Sequence, residues 1–254
     1  MTSQSDDYKI NAVYNREHAE AYGLVYDRDY TAYLKYELLE RYAHPAAICL
    51  DIGIATGLFA IPLAARVSHI HGIDISPDMI TVCHHNLAEA GIQNVTVYEQ
   101  SATYLDFPDA TFDLIYAYAT LLFIQDIQTA FQEIVRVLKP GGKAILDIAS
   151  KHNLSRIRWE YYYHRRADLQ IQYFTLPEIQ AIWQQLGLEI VETHPTGFLD
   201  QWKYVPGLKY LKFINRFTHE ARHAPDRDYR VSQRFPRLAN RWYFVLSKPD
   251  AGRR

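Results

Sequence analysis

The sequence predicts an α/β protein whose core is a doubly wound, mostly parallel sheet of seven strands. Three observations predict it. Between residues 46 and 150, five short apolar strands alternate with helical segments over short links, the pattern of a parallel sheet covered on both faces. The first strand-to-helix turn, CLDIGIATGLFA (49–60), places two glycines where the backbone must turn sharply. Two more strand-like runs, LEIVETH (188–194) and RWYFVLSK (241–248), follow once the regular alternation has ended.

Residues 16–42 read as helical, with Leu34, Leu38 and Leu39 on one face, and Pro45 stops that pattern. AAICLDI (46–52) is a buried strand and GLFAIPLAARV (57–67) a helix. SHIHGIDI (68–75) is the second strand; Ser76 and Pro77 then cap and open a helix that runs to about Ala90, where Gly91 ends it. NVTVYE (94–99) and FDLIYAYA (112–119) are the third and fourth strands. An amphipathic helix over 126–138 closes on Lys139-Pro140-Gly141-Gly142, ahead of the fifth strand, KAILDIAS (143–150). Beyond it lie a polar-aromatic stretch (151–172), a helix at 176–187 and an Arg- and aromatic-rich excursion over 198–238.

Composition excludes several classes. Of 254 residues, 48% are hydrophobic and 22% charged, as in an ordinary soluble domain. A formal net charge of -2 gives no global pull toward nucleic acid or membrane. Cys49 and Cys83 have no C-x-x-C spacing, so neither a disulfide framework nor a metal site is expected. The first residues, MTSQSDDYKI, do not read as a signal peptide, and no apolar run reaches membrane-span length. A cytoplasmic protein is the expectation; monomer and homodimer both stay open. The 20 tyrosines offer broad apolar faces with one polar tip, suited to pockets.

In open α/β sheets, ligands bind beyond the carboxyl ends of the strands, at the point where strand order reverses. That rule points to the loops after Ile52, Asp74, Glu99 and Ala119. Gly53 and Gly57 let the backbone approach a ligand closely, and the helix that follows turns free N–H groups toward the same spot. Asp74 ends the second strand 21 residues after Gly53, where a carboxylate accepts the hydroxyl hydrogens of a ribose. Leu58 stands where a dinucleotide fingerprint needs its third glycine, and the turn lacks the Gly-Lys-Ser/Thr of a P-loop.

What remains, acid-x-Gly-x-small-x-Gly, resembles the first motif of the class I S-adenosylmethionine-dependent methyltransferases. GIDISPDMI (72–80) resembles their second motif, FPDATFDLIYA (107–117) the approach to strand four, and VLKPGGKAIL (137–146) the turn before strand five. The type 11 branch, which includes quinone and sterol methyltransferases, is the nearest likeness; it covers 46–150 well and 175–195 loosely. The resemblance implies a Rossmann-like fold with an antiparallel last strand, to which RWYFVLSK is similar. It divides a single methyltransferase domain over 1–254 into a helical lid (1–45), a cofactor-binding core (46–150), substrate-side insertions (151–174 and 198–238) and a closing strand (239–248).

The implied cofactor is S-adenosyl-L-methionine, with S-adenosyl-L-homocysteine as product. The residues expected to hold it are Asp51, Gly53, Ala55, Gly57, Asp74, Ile75, Met79, Ser101, Ala102 and Tyr116, with Tyr14 and Tyr22 from the lid. Two positions depart from the family: Ala55 replaces the middle glycine, and Ser101 stands where many relatives carry an acid. A base is needed only if the acceptor atom loses a proton; His152, after strand five, and His18, on the lid, are the candidates, with His194 a third.

The expected reaction is methyl transfer to O or N of a small-molecule acceptor, anionic or aromatic in character. The 13 Lys/Arg against 5 Asp/Glu within 198–254 suit an anionic acceptor. Alternatives are methylation of a peptide, protein or RNA, and a non-catalytic cofactor-binding module. YAYATLLF (116–123) lacks the Asn/Asp-Pro-Pro-aromatic run of relatives that methylate base or amide nitrogen. Nucleic acid is therefore disfavoured.

Overall fold

The computed structural model describes residues 8–22, 30–199, 201–202 and 225–250, without the side chains of Tyr22, Tyr30 and residues 225–227. Its centre is one seven-stranded sheet: β1 (Ile48–Ile52), β2 (His69–Asp74), β3 (Val95–Glu99), β4 (Phe112–Ala117), β5 (Leu138–Ala149), β6 (Glu189–Thr196) and β7 (Arg241–Ser247). The order across it is β3-β2-β1-β4-β5-β7-β6. β1 to β5 pair in parallel, and β7 is antiparallel to both β5 and β6. Strand order therefore reverses between β1 and β4, the place where a crevice opens beyond the strand ends.

Alternation along the strands builds two cores. Leu50, Ile52, Ile115, Ala117, Leu146, Trp242 and Phe244 face one side, with Phe131 and Trp183 packed over them. Cys49, Leu114, Tyr116, Ile145, Tyr243 and Val245 face the other, against Leu34, Leu38 and Leu39.

The helices are α1 (Arg16–Tyr22), α2 (Tyr30–Tyr42), the single turn α3 (Ala60–Leu63), α4 (Pro77–Glu89), α5 (Ile127–Val137), α6 (Arg156–Ala167), α7 (Leu176–Gln185) and α8 (Pro225–Arg234). Their starts follow the capping chemistry of the sequence. The Ser76 hydroxyl accepts the Met79 N–H at 3.3 Å, and Asp126 accepts that of Thr129 at 3.2 Å. Thr175 and Glu178 form a reciprocal capping box at the head of α7.

Of the helix expected over 16–42, α1 and α2 are described and both are helical; residues 23–29 lie outside the described residues. Two expectations are corrected. The helix expected over 57–67 is only α3 plus a 3₁₀ turn at Ala64–Arg66. Its first residues still belong to the turn, since Gly57 holds φ +87° and its N–H reaches Ile54 O at 3.0 Å. Lys139-Pro140-Gly141-Gly142 is not a turn but part of β5. The Gly141 N–H donates to Lys248 O at 2.7 Å and the Lys248 N–H to Gly142 O at 3.2 Å, so pairing with the end of the chain extends the strand.

A third cluster sits over the carboxyl end of the sheet. Ile10 and Val13, from a 3₁₀ turn near the N-terminus, pack on Tyr163 and Ala167 of α6 and on Leu169 and Ile171, joined by Tyr14, Phe123 and Tyr173. Of the expected excursion over 198–238, residues 200 and 203–224 lie outside the described residues.

Candidate functional site

A cavity opens where strand order reverses. It is lined by the turn after β1 (Ile52, Gly53, Ala55), the end of β2 and start of α4 (Ile73 to Ser76, Met79) and the loop after β3 (Gln100 to Ala102). The loop after β4 (Tyr118, Ala119, Thr120, Phe123, Ile124) and the N-terminal residues Ile10 and Tyr14 complete it. Of the residues singled out in the sequence, Gly53, Ala55, Asp74, Ile75, Met79, Ser101, Ala102 and Tyr14 meet at this one surface.

Asp74 organises the floor. One carboxylate oxygen accepts the Ala55 N–H and the other the Ser76 N–H, each at 2.9 Å. Burial pushes this carboxyl above its ordinary value, while the N–H groups of Ser76, Ala55 and Ile75 pull it back down. Ala55 takes φ +50°, a left-handed conformation that costs a side chain something, and the Asp74 bond helps to hold it there.

Ser76 ties lid to floor, because its hydroxyl donates to Tyr14 O at 2.8 Å while capping α4. The Asn11 amide adds a bond to Ile75 O at 2.9 Å. Ser101 is buried, and its hydroxyl lies 2.8 Å from that of Thr103. Beside it Gln100 lines the cavity with a buried Oε1 that has no hydrogen-bond partner among the described residues.

The other expected residues lie elsewhere. Asp51 is buried below the cavity, beside Tyr116 of the neighbouring strand, and burial raises its carboxyl well above the usual range. Tyr116 is fully buried and does not line the cavity; Tyr118 does. β4 ends at Ala117, so Tyr116 is still inside the sheet while Tyr118 has left it. Gly57 faces α4, where a Cβ would sit 3.2 Å from Cys83 Sγ. The Tyr22 side chain lies outside the described residues.

None of the three histidines lines the cavity. His18 packs edge-on against Tyr14, ring centroids 4.7 Å apart, and burial lowers its pKa. His152 is exposed. His194 is buried between Tyr229, 2.6 Å from Nδ1, and Glu192, 2.7 Å from Nε2.

Sequence reasoning missed Asp147, Arg241 and Thr120, and of the pair Tyr116 and Tyr118 that leaves strand four it chose the wrong one. Asp147 is fully buried near the end of β5; one oxygen accepts the Ala119 N–H at 3.0 Å and meets Arg241 Nη1 at 2.5 Å. An acid inside the apolar run AILDIA was the available signal.

The sheet order and the cavity at its switch point define a Rossmann-like fold. A family model described as a methyltransferase domain, of the type 11 group, matches residues 50–146. Over those residues the chain is similar to the class I, type 11 methyltransferases.

The demethylmenaquinone methyltransferase of Anoxybacillus flavithermus is 35% identical over 120 residues, which cover 46% of this chain and 51% of that protein. This chain thus spans about half the length of the curated relatives of that name that it matches. A phosphoethanolamine N-methyltransferase 2 of Haemonchus contortus, solved in complex with S-adenosyl-L-methionine, superposes with a TM-score of 0.69 at 21% identity. That match covers 96% of this chain and 60% of the other. The [4+2]-cyclase SpnF superposes with a TM-score of 0.62 at 21% identity, over 87% of this chain and 82% of its own.

Proposed function

We propose that this chain is an S-adenosyl-L-methionine-dependent methyltransferase acting on oxygen or nitrogen of a small-molecule acceptor, with S-adenosyl-L-homocysteine as product. One observation carries the reading: the Gly53–Ala55 turn, the Asp74 carboxylate and the Gln100–Ala102 loop line a single cavity. Relatives named for demethylmenaquinone, sterol and phosphoethanolamine methylation support a small-molecule acceptor.

The residues present fit that cofactor. The Ala55 and Ser76 N–H groups take one lone pair on each Asp74 oxygen and the Ile75 N–H draws on the same carboxylate, which leaves acceptor capacity for a ribose hydroxyl. The orphaned Gln100 Oε1 is a buried acceptor in want of a donor, as an adenine amino group would supply. Ile75 and Met79 give flat apolar contact for the base, and the positive φ of Gly53 brings bare backbone to the ligand. When bound, the cofactor supplies a methyl group already activated by its sulfonium.

The chain then has to orient the acceptor, exclude water and, for a protonated acceptor, take a proton. Ile10, Tyr14 and Phe123 form an apolar roof that excludes water. Alignment alone supplies on the order of 7–11 kcal/mol of barrier reduction in favourable cases.

His18 stands closer to this roof than His152, through its contact with Tyr14, and its lowered pKa keeps it neutral at pH 7 and able to accept a proton. His18→Ala is expected to lower kcat by about 10²–10⁴-fold if the acceptor is deprotonated in the reaction. Its wild-type acid limb should lie below the ordinary histidine pKa, since the neutral form persists to lower pH. His152→Ala should leave kcat/KM unchanged; a large loss there with none in His18→Ala reverses the assignment.

The reading is tested by calorimetry with S-adenosyl-L-homocysteine, then by mass analysis of cell extract incubated with labelled cofactor and the protein. Micromolar binding and a labelled small molecule are expected. Binding without any labelled product favours the second reading, a non-catalytic module. A protein named as a cyclase shares the fold, so the fold by itself does not require methyl transfer.

A further inference from the structure

We propose that the acceptor carries an oxyanion, a phosphate or a carboxylate, and that Arg241 and Arg156 hold it beside Tyr173. This rests on the methyltransferase reading and names the substrate class for it.

β7 is antiparallel to β5, so its first residue, Arg241, emerges at the sheet end where β1 and β4 finish and the cavity lies. Asp147 aims it. The carboxylate oxygen that meets Arg241 Nη1 at 2.5 Å also accepts the Ala119 N–H at 3.0 Å, and Ala119 lines the cavity. A single buried carboxylate therefore links the guanidinium to the cavity wall. Ala119 itself takes φ +56°, so this stretch of wall is held in a conformation that alanine does not choose alone. The Arg241 side chain keeps 25% of its surface exposed while Asp147 keeps none. Arg241 also bonds the Tyr243 hydroxyl, and the donors it has left sit on a side chain partly open to a ligand.

Arg156 approaches the same place from α6. Its guanidinium carbon lies 6.0 Å from the centroid of the Tyr173 ring. It pairs with Glu160 only at 3.7 Å, beyond hydrogen-bond distance. Tyr173 is half-buried and belongs to the cluster that holds the lining residues Ile10, Tyr14 and Phe123. Burial raises its phenol and Glu160 adds to that push, while Arg241 and Arg156 oppose it. The N–H of the next residue, Phe174, donates to Ala149 O at 3.0 Å, and Ala149 pairs with Arg241 across the sheet, so Tyr173 lies beside the start of β7.

Each guanidinium carries five N–H donors in a planar fork. Arg241 spends donors on Asp147 and Tyr243, and the Arg156 guanidinium, with Glu160 3.7 Å away, makes no hydrogen bond among the described residues. An oxyanion placed between them meets the donors still unspent in their preferred geometry. A cationic acceptor would find no lone pair in those forks, since a guanidinium carries no acceptor. A neutral aromatic acceptor would leave both forks without a role.

The test is calorimetric titration of inorganic phosphate, and separately of acetate, into the protein saturated with S-adenosyl-L-homocysteine. Wild type, Arg156→Gln and Arg241→Lys are compared. Lysine keeps a positive charge opposite Asp147, so the fold should survive while the planar fork is lost. One of the two anions is expected to bind, with affinity reduced about tenfold in each variant and S-adenosyl-L-homocysteine affinity unchanged in both. Phosphate binding marks a phosphorylated acceptor, and acetate binding a carboxylate. Binding of neither anion, or binding indifferent to both substitutions, overturns the proposal. Failure of wild type to bind S-adenosyl-L-homocysteine is a separate result that removes the methyltransferase reading and the acceptor assignment with it.

Discussion

Asp74→Asn is expected to bind S-adenosyl-L-homocysteine about a hundredfold more weakly than wild type, measured by calorimetry, with little change in the circular dichroism spectrum. The native carboxylate offers four lone-pair directions, of which the N–H groups of Ala55 and Ser76 take one on each oxygen, with the Ile75 N–H drawing on the same group. An amide has one oxygen and one NH₂. Whichever backbone N–H then faces the NH₂ meets a donor instead of an acceptor, and any ribose hydroxyl on that side loses its partner as well. One charge-assisted bond lost and one donor stranded together weaken binding by roughly 2–4 kcal/mol. Asparagine is a cleaner choice than alanine, which would strand both N–H groups and loosen the turn itself. Near-normal affinity in Asp74→Asn would take the carboxylate out of the site.

The core was legible from sequence because each level of pattern agreed with the next. Strand runs, glycine turns and caps such as Ser76 and Thr175 are local signals, and the structure uses them locally. β5 was misjudged at its start because its pairing partner, Lys248, lies 107 residues from Gly141, too far for any window to register.

The site was legible where a turn dictates the backbone. Gly53, Ala55 and Asp74 sit in the motif that named them, and all three line the cavity. Tyr116 was preferred to Tyr118 because alternation puts both on one face, and only the strand's end at Ala117 separates them. Asp147 and Arg241 were invisible as a pair, since 94 residues separate them and their contact exists only through the antiparallel β5–β7 register. Thr120 was missed for the same reason: its importance lies in what it touches across the cavity.

That contact sets up the second large effect. Gly53→Ala is expected to lose cofactor affinity by at least a hundredfold and to lower the melting temperature as well. Gly53 holds φ +77°, and a Cβ there would stand 2.0 Å from Thr120 Oγ1, 2.6 Å from its Cγ2 and 2.8 Å from its Cβ. The left-handed backbone costs alanine roughly 1–2 kcal/mol. The overlap costs more, because no rotation of Thr120 moves its Cβ. The loop after β4 must therefore shift outward, carrying Ala119 and the cavity wall with it. Thr120→Gly removes all three offending atoms, so the double variant separates the two terms. If the close approach is what limits the site, Gly53→Ala/Thr120→Gly should recover most of the lost affinity and keep only the conformational cost, giving strong coupling in a double-mutant cycle. Simple additivity of the two changes would mean that the post-β4 loop does not govern the cavity, and that Gly53 matters through its backbone conformation alone.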